Sequence, residues 1–284
     1  MKNRKNWKSG AKKILKYVAV LIFATFAVFA IWQATKQVPS EGDWKDTLKV
    51  LSTAEFHDNL VTVKNVRNFQ YDANANPTVE AYYDKTYDLN KLKKVWYITE
   101  PFNPGSAFAH TFLSFEFSDG SFLAITIEGR LTKAQKYSAI DGTLRTFPLM
   151  YIAADERDAI FVRANILKAE VYVYPLKANQ KDARLLLVDM LNRMNDLSIY
   201  PAWYNSIFAN CTSSIAKHVN KIWPGMLPVF DWQVVLTSYA DKLALDRGLL
   251  DTNLNIDQAR KKFYVTDKSE KVGYTENYSV LIRQ

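Results

Sequence analysis

The sequence predicts an α+β domain, an antiparallel sheet packed on helices, preceded by one N-terminal transmembrane helix. Three observations lead there. An uncharged apolar run at residues 17–34 follows directly on a basic tail. The middle of the chain is a succession of short β-rich runs broken by turn residues. Amphipathic helical patterns gather only after residue 183, and strands followed by helices are the α+β order.

Residues 1–16 carry Lys2, Arg4, Lys5, Lys8, Lys12, Lys13 and Lys16 and no acidic residue. They supply seven of the net eight positive charges, so the rest of the 284-residue chain is close to neutral. A broad phosphate-binding face is therefore not expected, and nucleic acid is not a partner of choice. Tyr17 to Ala34 reads Y-V-A-V-L-I-F-A-T-F-A-V-F-A-I-W-Q-A, near the lower length for a spanning helix. Basic residues ahead of it hold an N-terminus in the cytoplasm, which makes 1–16 a cytoplasmic tail, 17–34 an anchor in the inner membrane, and the remainder outside. A cleavable signal peptide ending near Val28-Phe29-Ala30 is the competing reading, but its apolar core is usually shorter.

Residues 35–60 read as a tether, with the breaker cluster Pro39-Ser40-Glu41-Gly42-Asp43 and no apolar period before Val61. Val61, Val63, Phe69 and Tyr71 then alternate with polar residues as one or two half-buried strands. Asp72–Val79 and Pro101–Ser106 are loops around a short strand at Lys94–Ile98. The strongest local signal is a hairpin, with His110–Phe117 and Ser121–Glu128 joined through Asp119-Gly120. A two-residue turn sets His110 opposite Gly129. One more residue in the turn sets it opposite Glu128, and the pattern does not choose between them. Further strands are expected at Thr146–Ile152, Ala159–Arg163 and Ala169–Tyr174. Ala183–Asn195 is an amphipathic helix with Leu187, Met190, Leu191 and Met194 on one face. Later helices are expected from Asp231 to Gly248 and after Asn255. This divides the chain into a domain at 61–225 and a helical C-terminal elaboration at 226–284.

The chemistry centres on the single cysteine. Cys211 stands in Asn210-Cys211-Thr212-Ser213, and the helical spacing of Ile215, Val219 and Ile222 puts it at a helix start. Unpaired N–H groups and the positive end of the helix dipole gather there and favour a thiolate. A buried small hydrophobe is the alternative, but a lone thiol in an exported domain is a liability unless it is buried or used. Among three histidines, His57 reads as solvated. His218, seven residues along the helix, lies about 10.5 Å from Cys211 along the axis and out of reach. His110 opens a strand after a Pro/Gly loop, where a sheet edge presents it to a helix N-terminus. Zinc-type spacings, phosphate loops and the G-x-S-x-G elbow are absent from the sequence, so no metal or cofactor is expected.

Seven motifs occur in order: V-K-N-V-R-N-F at 63–69, Y-Y-D-K-T-Y-D-L at 82–89, A-H-T-F-L-S-F at 109–115, A-I-T-I-E-G-R at 124–130, A-D-E-R-D at 154–158, W-Y-N at 203–205 and N-C-T-S at 210–213. Together they resemble the Lnb N-terminal periplasmic domain family, named for a bacterial lipoprotein intramolecular acyltransferase, over roughly residues 50–220. The chain departs from the family where F-N-P-G-S-A-F-A replaces a Trp-Gly pair before His110, and where N-C-T-S stands for N-C-T-T. The resemblance implies a permuted papain-like core, histidine before cysteine, similar to lecithin:retinol acyltransferase. By position, Cys211 matches the family cysteine, His110 the family histidine and Glu128 the acidic residue of the hairpin's second strand. It further implies an extracytoplasmic cysteine acyltransferase or hydrolase that forms a thioester from membrane lipid or lipoprotein acyl esters. A cell-wall peptide amidase of the same superfamily and a catalytically silent envelope scaffold are the alternatives. The sequence leaves the oligomeric state open.

Overall fold

The structure, a computed structural model, describes the backbone of residues 2–228 and 230–284 and the side chains of 12–228 and 230–284. Two compact units emerge, Met1–Val38 and Pro39–Gln284. The first contains helix α1 (Lys2–Thr35). Its stretch Lys12–Thr35 is charged only at Lys12, Lys13 and Lys16, at its start, and none of it is buried. At 1.5 Å per residue its 24 residues extend about 36 Å, long enough to cross a hydrocarbon core of about 30 Å.

The second unit is a mixed α+β domain. Its strands are β1 (Thr53–His57), β2 (Leu60–Arg67), β3 (Gln70–Tyr71), β4 (Pro77–Val79), β5 (Tyr82–Asp88), β6 (Leu92–Pro101), β7 (Ala109–Phe117), β8 (Phe122–Gly129), β9 (Leu149–Ala154) and β10 (Tyr172–Pro175). Eight of them form one sheet in the order β1-β2-β9-β8-β7-β6-β10, with β5 also paired to β2. Every pairing is antiparallel except a single parallel step, Arg67 to Ala154. The helices after α1 are α2 (Ala139–Thr143), α3 (Glu156–Ala159), α4 (Gln180–Ile199), α5 (Cys211–Ile222), α6 (Trp232–Val235), α7 (Ala240–Asp246), α8 (Ile256–Phe263), α9 (Thr266–Val272) and α10 (Tyr278–Leu281).

The centre of the sheet is covered on both sides, which is why β7 and β8 read as nearly continuous apolar runs and not as alternating ones. Leu113 and Tyr97, paired across β7 and β6, face the α5 residues Ile215 and Ala216. On the opposite face Trp96 and Phe122 lie against the Arg283 guanidinium, each ring centroid 4.6 Å away.

The hairpin turn holds three residues, Ser118-Asp119-Gly120. Phe117 N–H bonds Ser121 O at 2.9 Å and Gly120 N–H bonds Phe117 O at 3.0 Å. Gly120 has φ +82°, the left-handed position this loop requires, which glycine adopts at no steric cost. The resulting register pairs Phe112 with Thr126 and, two residues on, sets His110 across from Glu128.

Three expectations are corrected. Residues 44–60 are not a tether: Trp44 is buried and bridged to Thr132, and β1 adds an edge strand to the sheet. The run at 159–163 is not a strand. Asp155 caps α3, and a π-helical turn follows at Val162–Ile166. The helix expected from Asp231 to Gly248 is broken at Leu236 into α6, a 3-10 turn and α7. Residues 226–284 pack onto the core, where Thr237, Asp241 and Arg283 bond core residues.

Candidate active site

A cleft of roughly 470 Å³ opens at the end of β7 and β8, and Cys211, His110 and Glu128 all line it. Each arrives from a different element. Asn210 is the N-cap of α5, its side chain accepting from Ser213 N–H at 2.7 Å while Ser213 Oγ accepts from Asn210 N–H at 3.0 Å. This capping box fixes where the helix begins and makes Cys211 its first residue. The N–H groups of Cys211 and Thr212 have no hydrogen-bond partner among the described residues, so two donors remain at the cysteine.

The Cys211 Sγ lies 3.9 Å from the carbonyl oxygen of Ala109 and 4.0 Å from Thr212 Oγ1. Thr237 reaches the same Ala109 peptide, donating to its oxygen at 2.7 Å and accepting from its N–H at 2.6 Å. Thr111 Oγ1 meets Thr212 Oγ1 at 2.9 Å. Through these contacts the residues on either side of His110 are tied to the α5 start and the 237 turn.

The His110 imidazole occupies the other face of β7, against Glu128. Its Nε2 is 2.7 Å from Thr126 Oγ1 and 3.2 Å from Glu128 Oε1, and Thr126 Oγ1 donates to Glu128 Oε1 at 2.8 Å. With its one proton given to the carboxylate, the Thr126 hydroxyl can only accept from the ring. Nε2 therefore carries the hydrogen, and Nδ1 is left as an acceptor. Arg163 completes the cluster, its Nε 2.7 Å from Glu100 Oε2 and its Nη2 3.5 Å from Glu128 Oε1. Among the described residues no hydrogen bond joins His110 to Cys211, although both line the cleft.

Burial dominates the electrostatics. It pulls His110 down to about 4, with the Arg163 and Arg67 charges in the same direction and the Glu128 carboxylate opposing. For Glu128, burial works upward, yet His110, Arg163, Thr126 and Arg67 together hold its carboxyl below the usual range. Burial also pushes the Cys211 thiol up, past the opposing hydrogen bonds from Thr111 and Thr212. The expectation that a helix N-terminus gives a thiolate here is corrected. Burial raises the thiol and lowers the imidazole, so the resting pair is a neutral thiol and a neutral imidazole.

The other two histidines are placed elsewhere. His57 ends the edge strand β1. His218 is buried and bonded to Asp189 Oδ2 at 2.6 Å through Nδ1 and to Tyr151 Oη at 2.8 Å through Nε2, a clamp between α4, α5 and β9. Among the described residues no group of three or more His, Cys, Asp or Glu is arranged to hold a metal ion.

Thr126 was legible only as a β-former of A-I-T-I-E-G-R, since its role depends on the hairpin register. The other motifs are structural. Asp158 receives Arg67, Phe69 N–H and Tyr71 Oη. Asp155 receives Tyr83 Oη and Arg157, and Arg130 donates to the carbonyls of Leu48 and Lys49.

A family model described as the Lnb N-terminal periplasmic domain matches residues 78–238, a span that includes Glu100, His110, Thr126, Glu128, Arg163, Cys211 and Thr237. No curated protein and no solved structure matches the chain.

Proposed function

Since the chain belongs to the Lnb N-terminal periplasmic domain family and carries one helix long and apolar enough to span a membrane, we propose that it is a single-pass envelope protein whose periplasmic domain is a cysteine acyltransferase or hydrolase. The N-terminus lies in the cytoplasm and the helix sits in the inner membrane, the orientation that the basic tail favours. The observation that carries the catalytic reading is the His110–Thr126–Glu128 chain. It holds a neutral imidazole with Nδ1 as acceptor, in the cleft that also contains a cysteine at a capped helix start.

In this reading His110 Nδ1 takes the thiol proton as Sγ attacks an ester carbonyl of a membrane lipid or lipoprotein. Because the resting thiol is protonated and unbonded to the ring, proton transfer accompanies attack once the substrate draws the two together. The imidazolium formed is stabilised by Glu128, and the N–H groups of Cys211 and Thr212 face the developing oxyanion. His110 then protonates the departing alcohol, leaving a thioester on Sγ. An amine acceptor or water attacks the thioester carbonyl, gives its proton to His110, and releases the thiol.

The test is intact mass spectrometry of the full chain incubated with its own membrane lipids. A hydroxylamine-labile acyl adduct is expected, absent from Cys211→Ser. Thr126→Val should lower turnover by about 10²-fold, the lower range for perturbing an acid–base residue, with Thr126→Ser restoring it. Release of peptide fragments without an adduct establishes the amidase alternative. Turnover of neither kind dependent on Cys211 leaves a non-catalytic scaffold.

A further inference from the structure

The cleft is bordered by exposed rings. Phe102 and Phe108 flank the Pro/Gly loop at its mouth, joined by a hydrogen bond from Phe102 N–H to Phe108 O of 3.1 Å. Phe208 stacks edge-on to Phe230 at 5.7 Å, and Trp232 lies 5.2 Å from Tyr239. The 232–239 segment is tied to the loop by Ser238 N–H donating to Ala107 O at 3.1 Å, and its Val235 and Thr237 line the cleft. Phe230 is 83% exposed and Trp232 57%. A soluble surface seldom gathers this much apolar area on adjoining segments around one opening without covering it.

Two further observations say what covers it. Only residues 36–43 separate the end of the apolar helix from Trp44, which is bridged to Thr132 of the domain, a path of at most about 30 Å when extended. The chain arrives at the cleft itself, because Lys45, Thr47 and Leu48 form part of its wall. The seven basic residues of 1–16 and Lys36 account for the whole net charge of +8, so residues 39–284 carry none. The domain as a whole carries no net charge to draw an oppositely charged partner, whereas aromatic side chains with one polar edge are the usual residents of a membrane–water interface.

We propose that the aromatic rim of the cleft, led by Phe208, Phe230 and Trp232, docks into the interfacial layer of a phospholipid bilayer. The cleft then opens directly onto the lipid headgroups. Docking requires the membrane anchor but not the thiol chemistry, so the two readings fail separately.

The experiment places one nitroxide on the full chain in phosphatidylcholine vesicles. Trp232→Cys and, as controls, Phe230→Cys and Leu60→Cys are labelled in a Cys211→Ser background. Leu60 starts β2, whose other end, Arg67, lines the cleft about 23 Å away at the usual strand rise. The ratio of collisions with oxygen to collisions with a water-soluble nickel complex reads immersion. At 232 and 230 this ratio is expected to be several-fold higher than at 60, and unchanged by added salt. Phe208→Ser should lower the ratio at 232. Equal ratios at all three sites overturn the proposal. Protection at 232 from both reagents, with spin–spin broadening, overturns it in favour of a second copy of the chain. Protection from both without broadening overturns it in favour of a different protein partner.

Discussion

Asp158 is a wholly buried carboxylate that receives four hydrogen bonds, and removing it gives a test of the fold that owes nothing to catalysis. Its two oxygens receive Arg67 Nε at 2.7 Å and Nη2 at 3.0 Å, Phe69 N–H at 3.0 Å and Tyr71 Oη at 2.9 Å. The Asp158 side chain is wholly buried and that of Arg67 only 7% exposed. Asp158→Ala leaves a buried guanidinium with one remaining contact, Thr47 O, and strands an amide and a phenol. Breaking a buried pair from one side costs about 3–5 kcal/mol, and each orphaned donor about 1–3 more when alone. Since all four bonds converge on one carboxylate the costs do not add, and a total of about 5 kcal/mol is expected, a large part of the stability of an ordinary domain. Replacing both partners, as Arg67→Met with Asp158→Leu, should recover most of that loss, because no charge is then left unpaired. Urea denaturation of the full chain in mild detergent, followed by tryptophan fluorescence, measures both. A loss under about 1 kcal/mol for Asp158→Ala, or a double variant as unstable as the single ones combined, refutes the argument.

Two further predictions concern the site and the division into units. Folded His110 titrates near 4 against an ordinary 6.5, so between those values the unfolded chain binds the extra proton and stability falls as pH is lowered. His110→Gln should flatten the stability–pH curve in that window by up to about 1.4 kcal/mol per pH unit, and identical slopes would remove the case for a buried neutral ring. Deleting residues 1–38 should leave a cooperatively melting domain, because the sheet and its helices are closed within Pro39–Gln284; a broad, non-cooperative transition of the truncated chain contradicts this.

The α+β class, the apolar helix, the hairpin and the α5 start were readable because each has a local cause: charge asymmetry, turn chemistry, or a cap followed by helical spacing. What escaped depends on contacts distant in sequence. Trp44 and Ala54 give too few apolar positions for a pattern, and only the ring of Trp44 under Arg130 and the pairing of β1 with β2 show that this stretch is folded. Ala159–Arg163 is a short apolar run that strand and helix explain equally well, and the Asp155 cap decides it. The state of the thiol was misjudged for the same reason. The helix start is visible in sequence, while the desolvation that raises the thiol belongs to the assembled cleft. Local pattern singled out Cys211 and His110 as candidates and the motifs added Glu128; all three line the one cleft. Thr126, which joins two of them, needed the register.

That register makes the turn at Ser118–Gly120 a ruler for a site it never touches. Glu128 lies eight residues from Gly120, some 26 Å along the strand. Were the strands joined instead by a two-residue turn, with Ser118 paired to Ser121, β8 would slide by one place against β7, bringing Gly129 opposite His110 and sending Thr126 and Glu128 to the far face. The site therefore depends on which residues this solvent-facing turn contains, and on the glycine at 120 whose left-handed backbone lets a three-residue loop close.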